Sequence, residues 1–220
     1  MADNTWTIAR VLEWTRGFFE SKGIETARLD AELLIAHALK LKRIALYLDH
    51  HRPLSTQELE AIRSLVRRRS KLEPIHYILG QRDFWSITLN VDPRVLIPRP
   101  DTEKLVELAL EHIDGDTEQV LDLCTGSGAI ALAIASEHPK LKLTATDISP
   151  EAIVLAQENS SHLDLSNVQF QVSNLFEDLS GTFTMIVSNP PYLARSEAGG
   201  LAPELSHEPE QALFGGGSGS

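Results

Sequence analysis

Apolar residues recur at three- and four-residue steps through the first 75 residues, which predicts helices. Trp6, Ala9, Val11, Leu12, Phe18 and Phe19 mark one helix that runs to Gly23. Leu29, Leu33, Leu34, Ala36, Ala38 and Leu41 mark a second, with Thr26 placed to cap it. Ser55 with Glu58 three positions on is a capping-box pattern, opening a helix through Leu59, Ile62, Leu65 and Val66. Residues 1–75 therefore read as a small helical bundle closed by Pro74. From 76 to 100 the period shortens. Phe84, Trp85, Ile87, Leu89 and Val91 alternate well enough for a β-hairpin linker, followed by Pro93, Pro98 and Pro100.

Past residue 100 helical and strand patterns alternate. Helices are predicted over 102–113, 129–136 and 150–160, and strands over 120–123, 141–146, 168–172 and 183–188. This order predicts an α/β fold, a parallel sheet with helices on both faces, over 101–214. A Gly/Ser tail fills 215–220.

Hydrophobic residues make up 42% of the 220 and charged residues 23%, a balance that supports a packed core. No apolar run approaches the roughly 20 residues of a membrane span. Met1 to Thr7 lacks a secretory pattern, and a single cysteine, Cys124, excludes an internal disulfide. A cytoplasmic protein with no membrane partner is expected. Charge is unevenly spread. Residues 1–80 hold 13 Lys and Arg against 10 Asp and Glu, net +3, whereas the remaining 140 hold 7 against 21, net −14. An acidic second half counts against a nucleic-acid substrate. The basic run Arg67-Arg68-Arg69-Lys71 could hold a partner, although a solvated helix face is the plainer reading.

Candidate chemistry concentrates at three strand ends. Cys124-Thr125-Gly126-Ser127-Gly128-Ala129 joins a strand to a helix, and its glycines allow a tight turn and close approach of a ligand to the backbone. Asp147 ends the next strand, 19 residues after Gly128, where a carboxylate can accept from a ribose diol. Helix capping is the competing role for this acid, and Ser149 is the better cap candidate. Turn and acid together fit a nucleoside cofactor, with nicotinamide and S-adenosylmethionine both open at this point. The strand ending at Ser188 then runs into Asn189-Pro190-Pro191-Tyr192. Two prolines stiffen this turn and remove two donors. The Asn189 amide oxygen and the Pro190 carbonyl can accept both hydrogens of a planar –NH₂ group, and the Tyr192 ring can stack on its face. Its lone pair then points at a methyl donor, and such orientation is worth roughly 7–11 kcal/mol in the best intramolecular cases. His37, His50, His51, His76, His112, His138, His162 and His207 show no ligand spacing with cysteine, so no metal is expected.

With these motifs the chain resembles the release-factor glutamine methyltransferases (the PrmC/HemK family). The carriers are Leu96-Ile97-Pro98-Arg99-Pro100-Asp101-Thr102-Glu103, the turn at 124–129, Thr146-Asp147, Ser173-Asn174-Leu175-Phe176 and Ser188-Asn189-Pro190-Pro191-Tyr192. The resemblance implies a Rossmann-like methyltransferase sheet and S-adenosyl-L-methionine as methyl donor. It implies a cofactor site of Cys124, Thr125, Gly126, Ser127, Gly128, Asp147, Asn174, Leu175 and Asn189. Asn189, Pro190 and Tyr192 would be catalytic, and Pro98, Arg99 and Pro191 would join them in binding substrate. The implied partner is a peptide chain release factor, methylated on the glutamine of its Gly-Gly-Gln motif and recognised by the N-terminal bundle.

Three departures from the family pattern stand out. Cys124 replaces a usual glycine. Asn174 replaces a common acid, which would weaken adenine contacts. The family's catalytic domain also continues with further strands. The chain therefore reads as C-terminally truncated, its sheet incomplete, with an exposed apolar edge after Ser188 and poor activity or solubility expected. Two rival readings use the same residues: an adenine-N6 nucleic-acid methyltransferase acting on a flipped base, and a non-catalytic partner-binding module.

Overall fold

Caps and turns written into the sequence set the element boundaries. In a computed structural model, which describes residues 5–215, the chain divides into two units between Leu79 and Gly80. The first holds α1 (Ile8–Ser21), α2 (Ala27–Leu39), α3 (Arg43–Leu48), α4 (Thr56–Arg69) and α5 (Ile75–Leu79). Thr7 caps α1, its side chain accepting from Arg10 N, and Ser55 with Glu58 forms the full capping box on α4. Thr26 precedes α2 without a side-chain cap bond. Ile8, Phe19, Leu34, Ile35 and Leu46 are fully buried at the centre of this unit.

Two sequence expectations change here. Residues 75–79 form a helix rather than a lead-in to the hairpin, because Pro74 starts a turn that Tyr77 N and Ile78 N close onto its carbonyl. The basic run is not a uniform solvated face. Arg69 is 2% exposed and its Nε donates to the equally buried Asp30 Oδ2 at 2.7 Å. Arg68 is held by Glu73 at 2.5 Å. A buried cation needs such a partner, since desolvation alone would cost several kcal/mol.

The second unit opens with the antiparallel hairpin β1 (Gln81–Phe84) and β2 (Ile87–Asn90). It continues through α6 (Pro100–His112), β3 (Gln119–Leu123), α7 (Ala129–Glu137), β4 (Lys142–Asp147), α8 (Pro150–His162), β5 (Val168–Val172) and β6 (Met185–Ser188). Beyond β6 come 3₁₀ turns at Arg195–Gly200 and Pro203–His207 and then a single helical turn, α9 (Glu210–Leu213). Beyond the Asn189–Tyr192 turn the sequence pattern predicts no helix or strand.

The sheet is parallel with order β5-β4-β3-β6. β3 is buried on both faces, as is the all-apolar stretch of α7 from Ala129 to Ala135. The chain leaves β3 toward β4 on one side, and β6 enters on the other. In such sheets the crevice at this reversal is where ligands bind. Among the described residues β6 is an edge strand, and its Ile186 side chain is half exposed. Residues 216–220 of the Gly/Ser tail lie outside the described residues. No described helix is long and apolar enough to cross a membrane.

Candidate active site

Strand register brings the three chemistry-bearing turns together. Leu123 pairs with Thr146 on one side and Ser188 on the other, so the residues that follow, Cys124, Asp147 and Asn189, leave the sheet side by side. Thr125 N donates to Thr146 O at 2.9 Å, and Ser188 Oγ to Leu123 O at 2.9 Å, fixing the strand ends.

The glycine turn is held from below and from the side. Asp122 is fully buried in β3, where its Oδ2 accepts from Thr125 Oγ1 (2.6 Å) and Ala131 N (3.1 Å). Burial pushes the Asp122 carboxyl up to about 7, partly offset by those two donors, and the Asp147 charge adds to the rise. Its Oδ1 is buried and has no hydrogen-bond partner among the described residues. From the side, Asn159 of α8 donates from Nδ2 to Ser127 O and Asn90 O, both at 3.0 Å, and its Oδ1 accepts from Asn90 N. One buried carboxamide thus ties the glycine turn to the hairpin.

The glycines differ in what they permit. Gly126 has φ +55 and open space where a Cβ would stand, leaving its backbone approachable. Gly128 has φ +83, starts α7, and would bring a Cβ to 2.9 Å from Leu132 Cδ1 and 3.3 Å from Ala156 Cβ. A side chain there would crowd Leu132 of α7 itself and Ala156 of α8, so this helix start packs too closely for one. Asp147 faces the turn: Oδ2 accepts from Gly126 N at 2.9 Å and Oδ1 from Ser149 N at 3.0 Å. Each oxygen has a second acceptor site, so both can still receive hydroxyls. Ser149, not Asp147, caps α8 through its hydroxyl.

A cleft opens over these groups. Its floor is Cys124, Thr125, Gly126, Ser127 and Asp147; Pro98, Arg99 and Thr102 form one wall, with Asn189 and Pro191 beside them. Pro209, Gln211 and Ala212 from beyond β6 complete it. A second cleft lies next to the first, lined by Asp101, Leu105, Pro190, Tyr192 and Leu193. Arg99, Thr102 and Asn189 line both, so Asn189 stands in the partition between them. Tyr192 is 66% exposed, its ring free to meet an incoming group.

Not every expected residue reaches these walls. Asn174 and Leu175 lie in the turn after β5, outside the lining of both clefts. Local bonds hold this turn: Asn174 Nδ2 donates to Glu177 Oε1, and Ser173 Oγ to Leu175 O. Leu175 lies at φ +50 and is half exposed. Gly128 stands between two lining residues, Ser127 and Ala129, at the start of α7.

Other residues escaped the sequence reading. Glu208, in the aperiodic stretch after β6, is 2% exposed at its side chain; it accepts from Arg99 Nη2 at 2.7 Å and Ile97 N at 3.2 Å. It pins the proline-rich segment to the wall opposite. Asp122, Asn159 and Thr102 were also missed. Asp122 was legible in principle, as a carboxylate inside an otherwise apolar strand.

Residues 10–80 match the family model described as the PrmC N-terminal domain, and residues 102–218 that of the methyltransferase small domain. Among curated proteins, the release factor glutamine methyltransferase of Geobacter sulfurreducens is 45% identical over 97% of this chain and 75% of its own length. Those of Rhodopirellula baltica and Chlorobaculum tepidum are 44% and 40% identical, over 99% and 96% of this chain and 77% and 76% of theirs.

Proposed function

This chain belongs to the release factor glutamine methyltransferase family, and on that premise we propose that it methylates the side-chain amide nitrogen of the glutamine in a release factor's Gly-Gly-Gln motif, using S-adenosylmethionine. The observation that carries this reading is the place of Asn189, in the partition between a glycine-turn cleft and a cleft that holds Pro190 and Tyr192.

The first cleft fits the methyl donor. Gly126 leaves its backbone open to a ligand, and Asp147 keeps acceptor capacity on both oxygens beside it. When bound, S-adenosylmethionine supplies a methyl carbon made electrophilic by its sulfonium. The chain's own task is to present the nucleophile. A carboxamide nitrogen is weakly nucleophilic because its lone pair is delocalised. Asn189 Oδ1 and the Pro190 carbonyl accept its two hydrogens, and the Tyr192 ring covers its face. The two prolines hold those acceptors at fixed backbone angles. The N–H acidifies as the new bond forms, so its proton passes to solvent without a strong base. Thr125 and Ser127 are buried and shape the turn. Arg99, which lines both clefts, and Pro98 and Pro191 border the entering glutamine.

We further assign the N-terminal helical unit to recognition of the release factor, and the protein to the cytoplasm where that partner acts. The acidic balance of residues 81–220, 7 basic against 21 acidic, disfavours a nucleic-acid backbone as the alternative substrate.

The test is incubation with labelled S-adenosylmethionine and a purified bacterial release factor, with mass spectrometry to locate the methyl group. Methyl on the motif glutamine is expected, and Asn189→Ala should lower turnover on the order of 10²–10³-fold while leaving cofactor affinity nearly unchanged. Label on DNA instead of release factor, or full turnover by Asn189→Ala, would overturn the assignment.

A further inference from the structure

The Asn189 carboxamide is held by one side-chain hydrogen bond: its Nδ2 donates to Thr102 Oγ1 at 3.1 Å. A carboxamide carries its oxygen and nitrogen on opposite branches of one plane. With nitrogen turned to Thr102, the oxygen turns away, and among the described residues it accepts no hydrogen bond. Thr102 itself is well fixed. It lies in the first turn of α6, after Pro100, and its N donates to Arg99 O at 3.0 Å. Its β-branched side chain has restricted χ1 freedom.

We propose that Thr102 is a positioning residue that sets the Asn189 carboxamide with its oxygen toward the substrate amide. The inference rests on the reading of Asn189 given above. The terminal torsion of asparagine is broad and close to two-fold, so geometry alone does not choose which end faces the cleft. The flipped state would confront the substrate –NH₂ with another –NH₂, donor against donor. In the observed arrangement Thr102 Oγ1 accepts from Nδ2, which holds the productive state before substrate arrives, and this is preorganisation of the site. Thr102 borders both clefts, yet it acts through Asn189.

Two variants separate this role from a structural one. Thr102→Val keeps the shape and removes the acceptor; Thr102→Ser restores the hydroxyl. With release factor as substrate, kcat should fall about tenfold in Thr102→Val, the scale of one hydrogen bond. KM and S-adenosylmethionine affinity should stay within about twofold of wild type, and Thr102→Ser should recover most of the loss. A second measurement is independent of turnover. Solvent exchange of the Asn189 side-chain amide protons, followed by NMR without substrate, should be slowed in wild type and Thr102→Ser and released in Thr102→Val. Equal exchange in all three proteins, or a Thr102→Val kcat within twofold of wild type, overturns the inference. A wild-type chain that leaves the release factor unmethylated overturns the reading of function instead, and the exchange measurement then decides Thr102's hold on Asn189 alone.

Discussion

Glu208 holds Arg99 at 2.7 Å across a separation of 109 residues, and its second oxygen accepts from Ile97 N at 3.2 Å. This carboxylate joins the proline-rich segment ahead of α6 to the stretch after β6. Both line the first cleft. The stretch is closed at its base as well, where Leu193 N donates to Leu213 O and Gly215 N to Leu193 O, both at 3.1 Å.

Removing that clamp should loosen a wall of the site. Glu208→Ala leaves Ile97 N buried without a partner and frees the Arg99 guanidinium. Arg99 is about one-third exposed, so water can recover part of its interaction. We expect a loss of about 2 kcal/mol in urea denaturation. Substrate KM should rise more than cofactor Kd, because Arg99 also borders the second cleft. Unchanged stability together with unchanged KM would remove Glu208 from this role.

The two turn glycines should fail in different ways. Gly126→Ala costs the left-handed backbone penalty of about 1 kcal/mol, with no clash. Its main effect should fall on S-adenosylmethionine affinity, read by calorimetry. Gly128→Ala adds contact with the buried Leu132 and Ala156. Overpacking of that kind adds roughly 1–3 kcal/mol, so its melting temperature should drop well below that of Gly126→Ala. Equal melting temperatures would contradict the packing role of Gly128.

Asp122 gives stability a pH dependence of unusual sign for a carboxylate. Its folded pKa of about 7 lies above the ordinary 3.8, so between these values the folded chain binds the extra proton. Stability from this group is therefore greatest at low pH and declines as pH rises through that window. The whole decline amounts to roughly 4 kcal/mol at its limit. Asp122→Asn removes the titration. The stability difference, wild type minus Asp122→Asn, should fall between pH 4 and pH 7 and then level off. A flat difference across this range would show that Asp122 ionises normally.

Much of this was readable beforehand, for identifiable reasons. Where local signals govern, the reading held: Ser55 with Glu58 forms its capping box, and the strand over 168–172 has the bounds expected. The turns at Gly126, Asp147 and Asn189 converge because parallel register aligns strand ends, and the alternation of elements already implied a parallel sheet. Partnerships over long separations were invisible. Arg69 finds Asp30 39 residues away, Asn189 finds Thr102 at 87 and Arg99 finds Glu208 at 109. No periodicity encodes such pairs. The turn bonds around Leu175 were equally unreadable, since its assignment came from resemblance alone.

Cys124 departs from the glycine that the family usually carries, and its backbone records the cost. Its φ is +60, a left-handed conformation that disfavours a Cβ. The thiol lends little in return. Burial, the chief cause, and the nearby Asp147 push its pKa up, against a smaller opposing hydrogen bond with Ser188, so it stays neutral at pH 7. Cys124→Gly relieves the backbone strain but gives the unfolded chain more freedom. Cys124→Ala keeps the strain and loses only the sulfur. The glycine variant should therefore be more stable than the alanine variant by about 1 kcal/mol in urea denaturation. If alanine proves as stable as glycine, residue 124 relaxes out of the left-handed region in solution, and the turn does not hold the backbone as tightly as its hydrogen bonds imply.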